Sequence, residues 1–347
     1  MINSKNKLQS ILERTVDEKH VFGASFAIKQ EGFNWVGAAG NLSEQSPYFI
    51  ASVTKLFTTA AILQLRANGK LDLTDPIIDY LDATILDRLH IYRGEDYTHK
   101  LTIGHLLSHT SGLPDYFQGK TANGNSLEAT ILSGNDCAWT PKEAIAKSKS
   151  MLPLFAPGAK RKAHYSDTNY QLLGKIIEHV SGWSYLTYCH KQIIAPLGLI
   201  NTYLYKVPSD DTPQQIYYKR KALFIPKAMA SFGPDGGMVS TSSELLRFTE
   251  AFITGQLFPR SYFLELYRWQ RIFFPMWSGI GIQRIKLPWI LNPFGAVPEF
   301  VGHSGQSGVV AFYAPDKKAF VAGTINQADH PSLAIKTMIK LTQNLPY

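Results

Sequence analysis

The chain has 347 residues, 45% hydrophobic and 18% charged. That length buries roughly three quarters of the unfolded surface, and the composition excludes a disordered tail, a collagen-like fibre and a small disulfide scaffold. Lys and Arg number 35 against 27 Asp and Glu, a formal charge of +8, which suits an anionic partner such as nucleic acid, an acidic envelope polymer or a membrane surface, although a merely solvated basic surface explains it more economically. The basic residues cluster only at Lys160, Arg161 and Lys162 and at Lys219, Arg220 and Lys221, with no zinc-knuckle, RNP-type or basic-zipper pattern, so no nucleic-acid partner is expected. Two cysteines, Cys137 and Cys189, make neither a metal cluster nor a disulfide framework. The N-terminus lacks the apolar core of an export signal, and no eighteen apolar residues run uninterrupted. As written, the chain is expected to be cytoplasmic and without a transmembrane segment, and extracytoplasmic only if an export signal has been removed.

In chain order, Leu8, Ile11, Leu12 and Val16 recur at helical spacing, and the apolar runs Ala24 to Ile28 and Phe33 to Gly37, split by Glu31-Gly32, predict a hairpin. Thr54 to Leu65 is helix material stopped by Asn68-Gly69, and Leu71 to Leu81, with Pro76, predicts a turn leading to a short helix. Leu101 to Leu107 and Asn169 to Val180 continue the helical pattern, the latter with Leu172, Leu173, Ile176, Ile177 and Val180 on one face and Ser181-Gly182 as its end. Connections rich in Gly, Pro and Asn fall at Thr121 to Asn125, Pro157-Gly158 and Pro208 to Pro213. A short helix follows around Glu244 to Ile253, then strands at Gly279 to Ile285, Val309 to Tyr313 and Phe320 to Ile325, and a last helix at Leu333 to Leu341. Ala314 to Lys318 joins the last two strands as a hairpin connection. The expected class is α/β of the α+β type. One antiparallel sheet comes from both chain ends and is flanked by the terminal helices, with a helical lobe inserted. Within a single catalytic domain, residues 1–50 and 230–347 would form the α/β part and 51–229 the helical part.

The sharpest chemical signal is Ser52-Val53-Thr54-Lys55 at the head of an apolar helix. A serine hydroxyl needs a base to take its proton, and the i, i+3 spacing puts Lys55 on the same face one turn away. Spacing alone does not decide it, since Ser4-Lys5-Asn6-Lys7 fits the same pattern without a buried helix, and Ser52 could equally be an ordinary helix cap. A lysine titrates near 10.4, so its site must lower that value if it is to act as a free base. Tyr165-Ser166-Asp167, between the Pro157-Gly158 turn and a helix, places a tyrosine that can share the task, although such a tyrosine is more often packing. His303-Ser304-Gly305 and Gln306 precede a strand, where small residues let an acyl substrate lie along an exposed strand edge and backbone N–H groups hold an oxyanion.

Together, in this order, the three elements resemble the serine β-lactamase and penicillin-binding protein superfamily, in its class C-like branch of DD-peptidases, esterases and related hydrolases. That branch carries Tyr-x-Asn and His/Lys-x-Gly in place of S-D-N and K-T-G. The likeness spans nearly the whole chain and includes Gly69 to Pro76, Leu101 to Leu113, Pro196 to Leu199 and Gly236 to Thr241. It implies the β-lactamase/transpeptidase-like fold and acyl transfer through an ester on Ser52, with no cofactor. Lys55 would be the proton acceptor or the charge that tunes Tyr165, and Tyr165 the general base and acid. The N–H groups of Ser52 and Gln306 would form the oxyanion hole, and His303 would touch a substrate carboxylate or the Tyr165 hydroxyl.

Two departures shape the expected substrate. Asp167 stands where the family usually has Asn, which stabilises the Lys55 ammonium, shifts base duty to Tyr165 and attracts a substrate amine. His303 replaces a lysine, removing a permanent cation for the β-lactam carboxylate. The expected activity is therefore that of an esterase or peptidase for small esters or D-amino-acid (D-alanyl) esters and amides. The alternatives are a weak class C-like β-lactamase or DD-carboxypeptidase on peptidoglycan-like substrates, and a catalytically silent binder of an anionic cell-envelope polymer. His105 and His109 have a zinc-ligand spacing, but leucine replaces the glutamate of H-E-x-x-H and no third ligand is apparent, so no metal is expected. The aromatic and basic stretch Tyr262 to Trp289 fits an interfacial membrane surface, but better a half-buried strand with aromatics lining the cleft.

Overall fold

The computed structural model describes residues 2–121, 124–292 and 297–346; of the expected Thr121–Asn125 loop, residues 122–123 lie outside that set. The first apolar periodicity becomes the helix Ile2–Thr15. The strands Gly23–Gln30 and Phe33–Gly40 then pair through a turn in which Gly32 takes φ +70°, a value glycine adopts without a side-chain clash. Among the described residues they belong to one eight-stranded antiparallel sheet. Its order is Gln270–Phe273, Met276–Ser278, Gln283–Ile285, Phe300–Gly305, Val309–Ala314, Ala319–Thr324, Gly23–Gln30 and Phe33–Gly40. Pairing from Ser25 with Thr324 to Lys29 with Phe320 joins the two chain ends, as the expected α/β class requires.

The two-residue period divides the sheet into faces. Phe26, Ile28, Val310, Phe312 and Val321 pack with Leu8 and Leu12 of the first helix and Met338 and Leu341 of the last, Ser332–Gln343. On the other face Val309, Ala311 and Ala322 meet the helices Thr54–Ala67 and Ser242–Thr254. The helix Thr54–Ala67 is buried on nearly every side, which explains a segment apolar all round instead of on one stripe. Against it lies Asp167–Ser181, closed by Gly182 at φ 70°. Among the described residues no helix is long and apolar enough to cross a membrane.

Three local expectations are corrected. Of Gly279–Ile285 only Gln283–Ile285 pairs as strand. Gly279 N–H donates to Ile282 O at 2.8 Å and Gly281 N–H to Leu107 O at 3.0 Å, so the segment turns to dock on the helices. The helix expected after Pro76 is a single 3-10 turn, Ile77–Asp79. His303–Gly305 does not merely precede a strand but ends one, Phe300–Gly305, which lies between two others. Its pairing with Gln283–Ile285 ends at Gly302, so the free edge is confined to His303–Gly305, where Gln283 Oε1 accepts from Ser304 N–H at 3.2 Å.

Candidate active site

Ser52 sits in a 3-10 turn, Ala51–Val53, between the short strand Tyr48–Phe49 and the helix Thr54–Ala67. Ala51 takes φ +44°, uncommon for a residue with a Cβ, and the turn is fixed to the strand Met238–Ser240 from both sides. Ile50 N–H donates to Met238 O at 3.0 Å, and Met238 N–H to Thr54 Oγ1 at 3.1 Å. Ser52 caps no helix: that position belongs to Val53, without a side-chain bond. Its Oγ accepts from Lys55 Nζ at 3.1 Å. Ser4, in the competing match, lies in the helix Ile2–Thr15 at the opposite face of the sheet.

Lys55 is fully buried; its ammonium donates to Asp235 O at 2.6 Å and Ser52 Oγ at 3.1 Å and forms an ion pair with Asp167 Oδ1 at 2.7 Å. Burial alone would neutralise this amine, but the charges of Asp167 and Asp235 outweigh it and hold the ammonium, raising its pKa. Asp115 completes a set of three buried carboxylates around one cation. Burial and the neighbouring Asp115 and Asp235 push Asp167 up to about 8 despite Lys55, and burial likewise raises Asp115. The opposed pulls on Lys55 and Asp167 share one cause: buried carboxylates surround a single ammonium. Gln171 Nε2 and the Tyr116 hydroxyl donate to the Asp235 carboxylate at 3.0 and 2.6 Å.

Tyr165 precedes the helix that begins at Asp167, and the segment 109–116 holds both. Asp115 Oδ2 accepts from Asp167 N–H at 3.2 Å, and Pro114 O accepts from the hydroxyls of Ser166 and Thr168. The His109 ring stacks on Tyr165, centroids 4.4 Å apart. Its Nδ1 accepts from Ser166 N–H at 3.2 Å, and burial with Lys55 nearby depresses its pKa, so the ring is neutral. His105 instead turns back to the Thr102 N–H in a capping box, so the two histidines do not converge. The buried Tyr165 hydroxyl faces Ser52 and Lys55, yet closes no hydrogen bond of normal geometry among the described residues. Burial raises its pKa more than Lys55 lowers it, leaving a neutral phenol.

The third element approaches the Ser52 turn backbone to backbone. A Cβ on Gly305 would lie 2.7 Å from Ile50 O and 3.3 Å from Ser52 N, so only glycine lets the two chains come this close. Ser307 Oγ donates to Phe49 O at 2.8 Å, tethering the turn that carries Gln306. His303 is buried behind this strand. Its Nδ1 lies 2.8 Å from Ser304 O, a carbonyl that only accepts, so that nitrogen carries the proton. Burial and Lys55 depress its pKa to about 3, so it supplies no cation for a substrate carboxylate.

Ser52, Tyr165, Asp167, Ser304, Gly305 and Gln306 face a cleft of about 560 Å³, whereas Lys55 and His303 lie behind its wall. Most of the remaining wall is apolar, including Phe117, Ile225, Phe232, Phe273 and Met276, while Asp235, His164, Gln118 and Gln283 line it too. Sequence reasoning missed Asp115, Asp235, His109, Gln283 and Ser307. A carboxylate in the turn Gly233-Pro234-Asp235-Gly236-Gly237 was a signal available for Asp235; the others lacked one, because their partners lie far along the chain.

Comparison with known proteins gives the family and the fold. PbpX of Bacillus subtilis is 26% identical over 279 residues, covering 76% of this chain and 61% of its own length, so the chain spans less than two thirds of that relative. A D-stereospecific amidohydrolase from Streptomyces sp. superposes with TM-score 0.77 at 27% identity, covering 96% of this chain and 97% of the other. The D-amino acid amidase of Ochrobactrum anthropi SV3 shares the fold, with TM-score 0.79 at 22% identity over 97% and 100% of the two chains. The Beta-lactamase family profile matches residues 8–341, and the chain belongs to that family.

Proposed function

We propose that this enzyme hydrolyses amides and esters of D-amino acids with apolar side chains, through an acyl-enzyme on Ser52. The observation that carries the substrate class is the Asp167 carboxylate in the wall of a mainly apolar cleft that Asp235 also lines, beside the serine whose Oγ accepts from Lys55. A free α-amine would meet Asp167 while the side chain fills the Phe117, Ile225 and Phe232 wall. The D preference rests on the Streptomyces relative, itself a D-stereospecific amidohydrolase.

The proton path follows from the electrostatics. Lys55 keeps its ammonium beside Asp167, so it acts as fixed charge. As Ser52 Oγ bonds to the acyl carbon, its proton passes to Tyr165 Oη, which gives its own proton to the leaving nitrogen or oxygen as that bond breaks. Such a relay never requires a free phenolate, as the raised Tyr165 pKa demands. The oxyanion is held by the N–H groups of Ser52 and Gln306, brought together at Gly305. Water then reverses the steps and frees the acid.

The test compares D-phenylalanine amide, L-phenylalanine amide and amine-free 3-phenylpropanamide, with a chromogenic cephalosporin as control. Turnover of the D-amide alone, lost in Ser52→Ala, is expected. Faster cephalosporin turnover would make the protein a β-lactamase, and no turnover together with no fluorophosphonate labelling would leave a binding protein.

A further inference from the structure

One end of the large sheet carries an unusual surface. The turn after Gln270–Phe273 exposes Phe273 and Phe274 at 55% and 51%, and the turn Trp289–Leu291 exposes its three side chains at 60–76%. The two turns share an end because Met276 pairs with Ile285 and Lys286 N–H reaches Pro275 O at 3.5 Å. Phe273 also lines the catalytic cleft, so the apolar surface runs from solvent into the site. The surrounding sequence is one-sided in charge. From Leu266 to Pro298 there is no Asp or Glu, while Arg268, Arg271, Arg284 and Lys286 occur there with three of the chain's six tryptophans. Arg284 is packed between Trp269 and Trp277, whereas Arg268, Arg271 and Lys286 are exposed.

We propose that these two turns seat the enzyme on an anionic bilayer, with the cleft opening at the lipid interface. Exposed aromatic and aliphatic tips flanked by Arg271 match the headgroup and acyl boundary of such a membrane, although Lys286 is paired with Glu299 at 2.9 Å and Arg268 lies 3.9 Å from Glu265. The net charge of +8 acts in the same direction over longer range. A second copy of the chain fits less well, because a symmetric contact would set the exposed Arg271 near its own counterpart. The location also deepens the catalytic reading: an amphiphilic acyl donor could enter from the membrane without crossing water. Membrane binding itself does not depend on that reading.

Flotation of the full chain with vesicles of equal phosphatidylglycerol and phosphatidylcholine, against phosphatidylcholine alone, tests this. At least tenfold preference for the anionic vesicles is expected, weakened by 1 M salt. Arg271→Gln should bind about fivefold more weakly. The double variant Trp289→Ser, Leu291→Ser should lose at least tenfold while keeping its thermal midpoint and its turnover of a small soluble amide. Ser52→Ala should float like the native chain, which separates this proposal from the catalytic one. No flotation, equal binding to both vesicles, or a dimer in sedimentation that the double variant abolishes would overturn it.

Discussion

Replacing Gly305 by Ala probes how closely the third element must approach the nucleophile. The added methyl would sit 2.7 Å from Ile50 O and 3.1 Å from Ala51 Cβ, where ordinary contact begins near 3.4 Å. The obstacle is backbone, and Ile50 is anchored to Met238, so the strand Phe300–Gly305 has to retreat by about 0.7 Å. Overpacking of this kind costs about 1–3 kcal/mol, or roughly 2–6 °C in a chain of this size. The retreat also carries the Gln306 N–H away from the Ser52 N–H. Losing one oxyanion donor slows catalysis about 10²–10³-fold, and a misplacement near 1 Å costs about 10²-fold. The variant is therefore expected to fold, melt a few degrees lower, and show kcat on D-phenylalanine amide reduced about 100-fold with KM changed far less. The assay is steady-state hydrolysis at 25 °C beside a thermal melt. A kcat within threefold of native, with the melt shifted as stated, would refute the assignment of this contact to the oxyanion hole.

Other outcomes follow from the same geometry. Asp167→Asn should lower the preference for D-phenylalanine methyl ester over its amine-free analogue by about 5–30-fold, corresponding to about 1–2 kcal/mol for a charge-assisted hydrogen bond; an unchanged kcat/KM ratio sinks the amine-binding role. Intact-mass spectrometry should find a fluorophosphonate adduct on the native chain and none on Ser52→Ala, and an equal adduct on both would move the nucleophile elsewhere. Because His303 is buried with its pKa near 3 and an unfolded histidine titrates near 6.5, the unfolded chain binds the extra proton between those values. Stability should thus fall below pH 6.5 by about 1.4 kcal/mol per pH unit for this group, and His303→Gln should flatten the acid limb of the thermal midpoint; identical limbs contradict the buried neutral ring. Ser307→Ala leaves the buried Phe49 carbonyl without its donor and should cost about 1–3 kcal/mol in urea denaturation, with an unchanged midpoint counting against the tether.

Much of the site was legible where its chemistry is local. Ser52 and Lys55 are one helical turn apart, Tyr165 and Asp167 are neighbours, and Ser304 to Gln306 are consecutive, so each piece carries its own spacing. The partners that set their protonation states are not local. Asp235 reaches Lys55 from 180 residues away through a backbone carbonyl, and Asp115 reaches Asp167 from 52 residues away. The lysine expectation illustrates the difference. A free-base Lys55 requires a lowered pKa, and the carboxylate at 167 already argued against it in the sequence; the structure adds Asp235 to the same side.

The residue pattern alone determined the antiparallel sheet drawn from both chain ends, the apolar helix behind Ser52 and the departures at Asp167 and His303, because period, charge and residue type are properties of short segments. Tertiary structure alone decided that Gly279–Ile282 turns instead of pairing, that His303 lies neutral behind the strand instead of facing substrate, and that Phe273 joins the cleft to an exposed apolar rim. Those outcomes depend on which distant surfaces meet, and burial, which shifts a pKa or closes an edge, exists only once they have met.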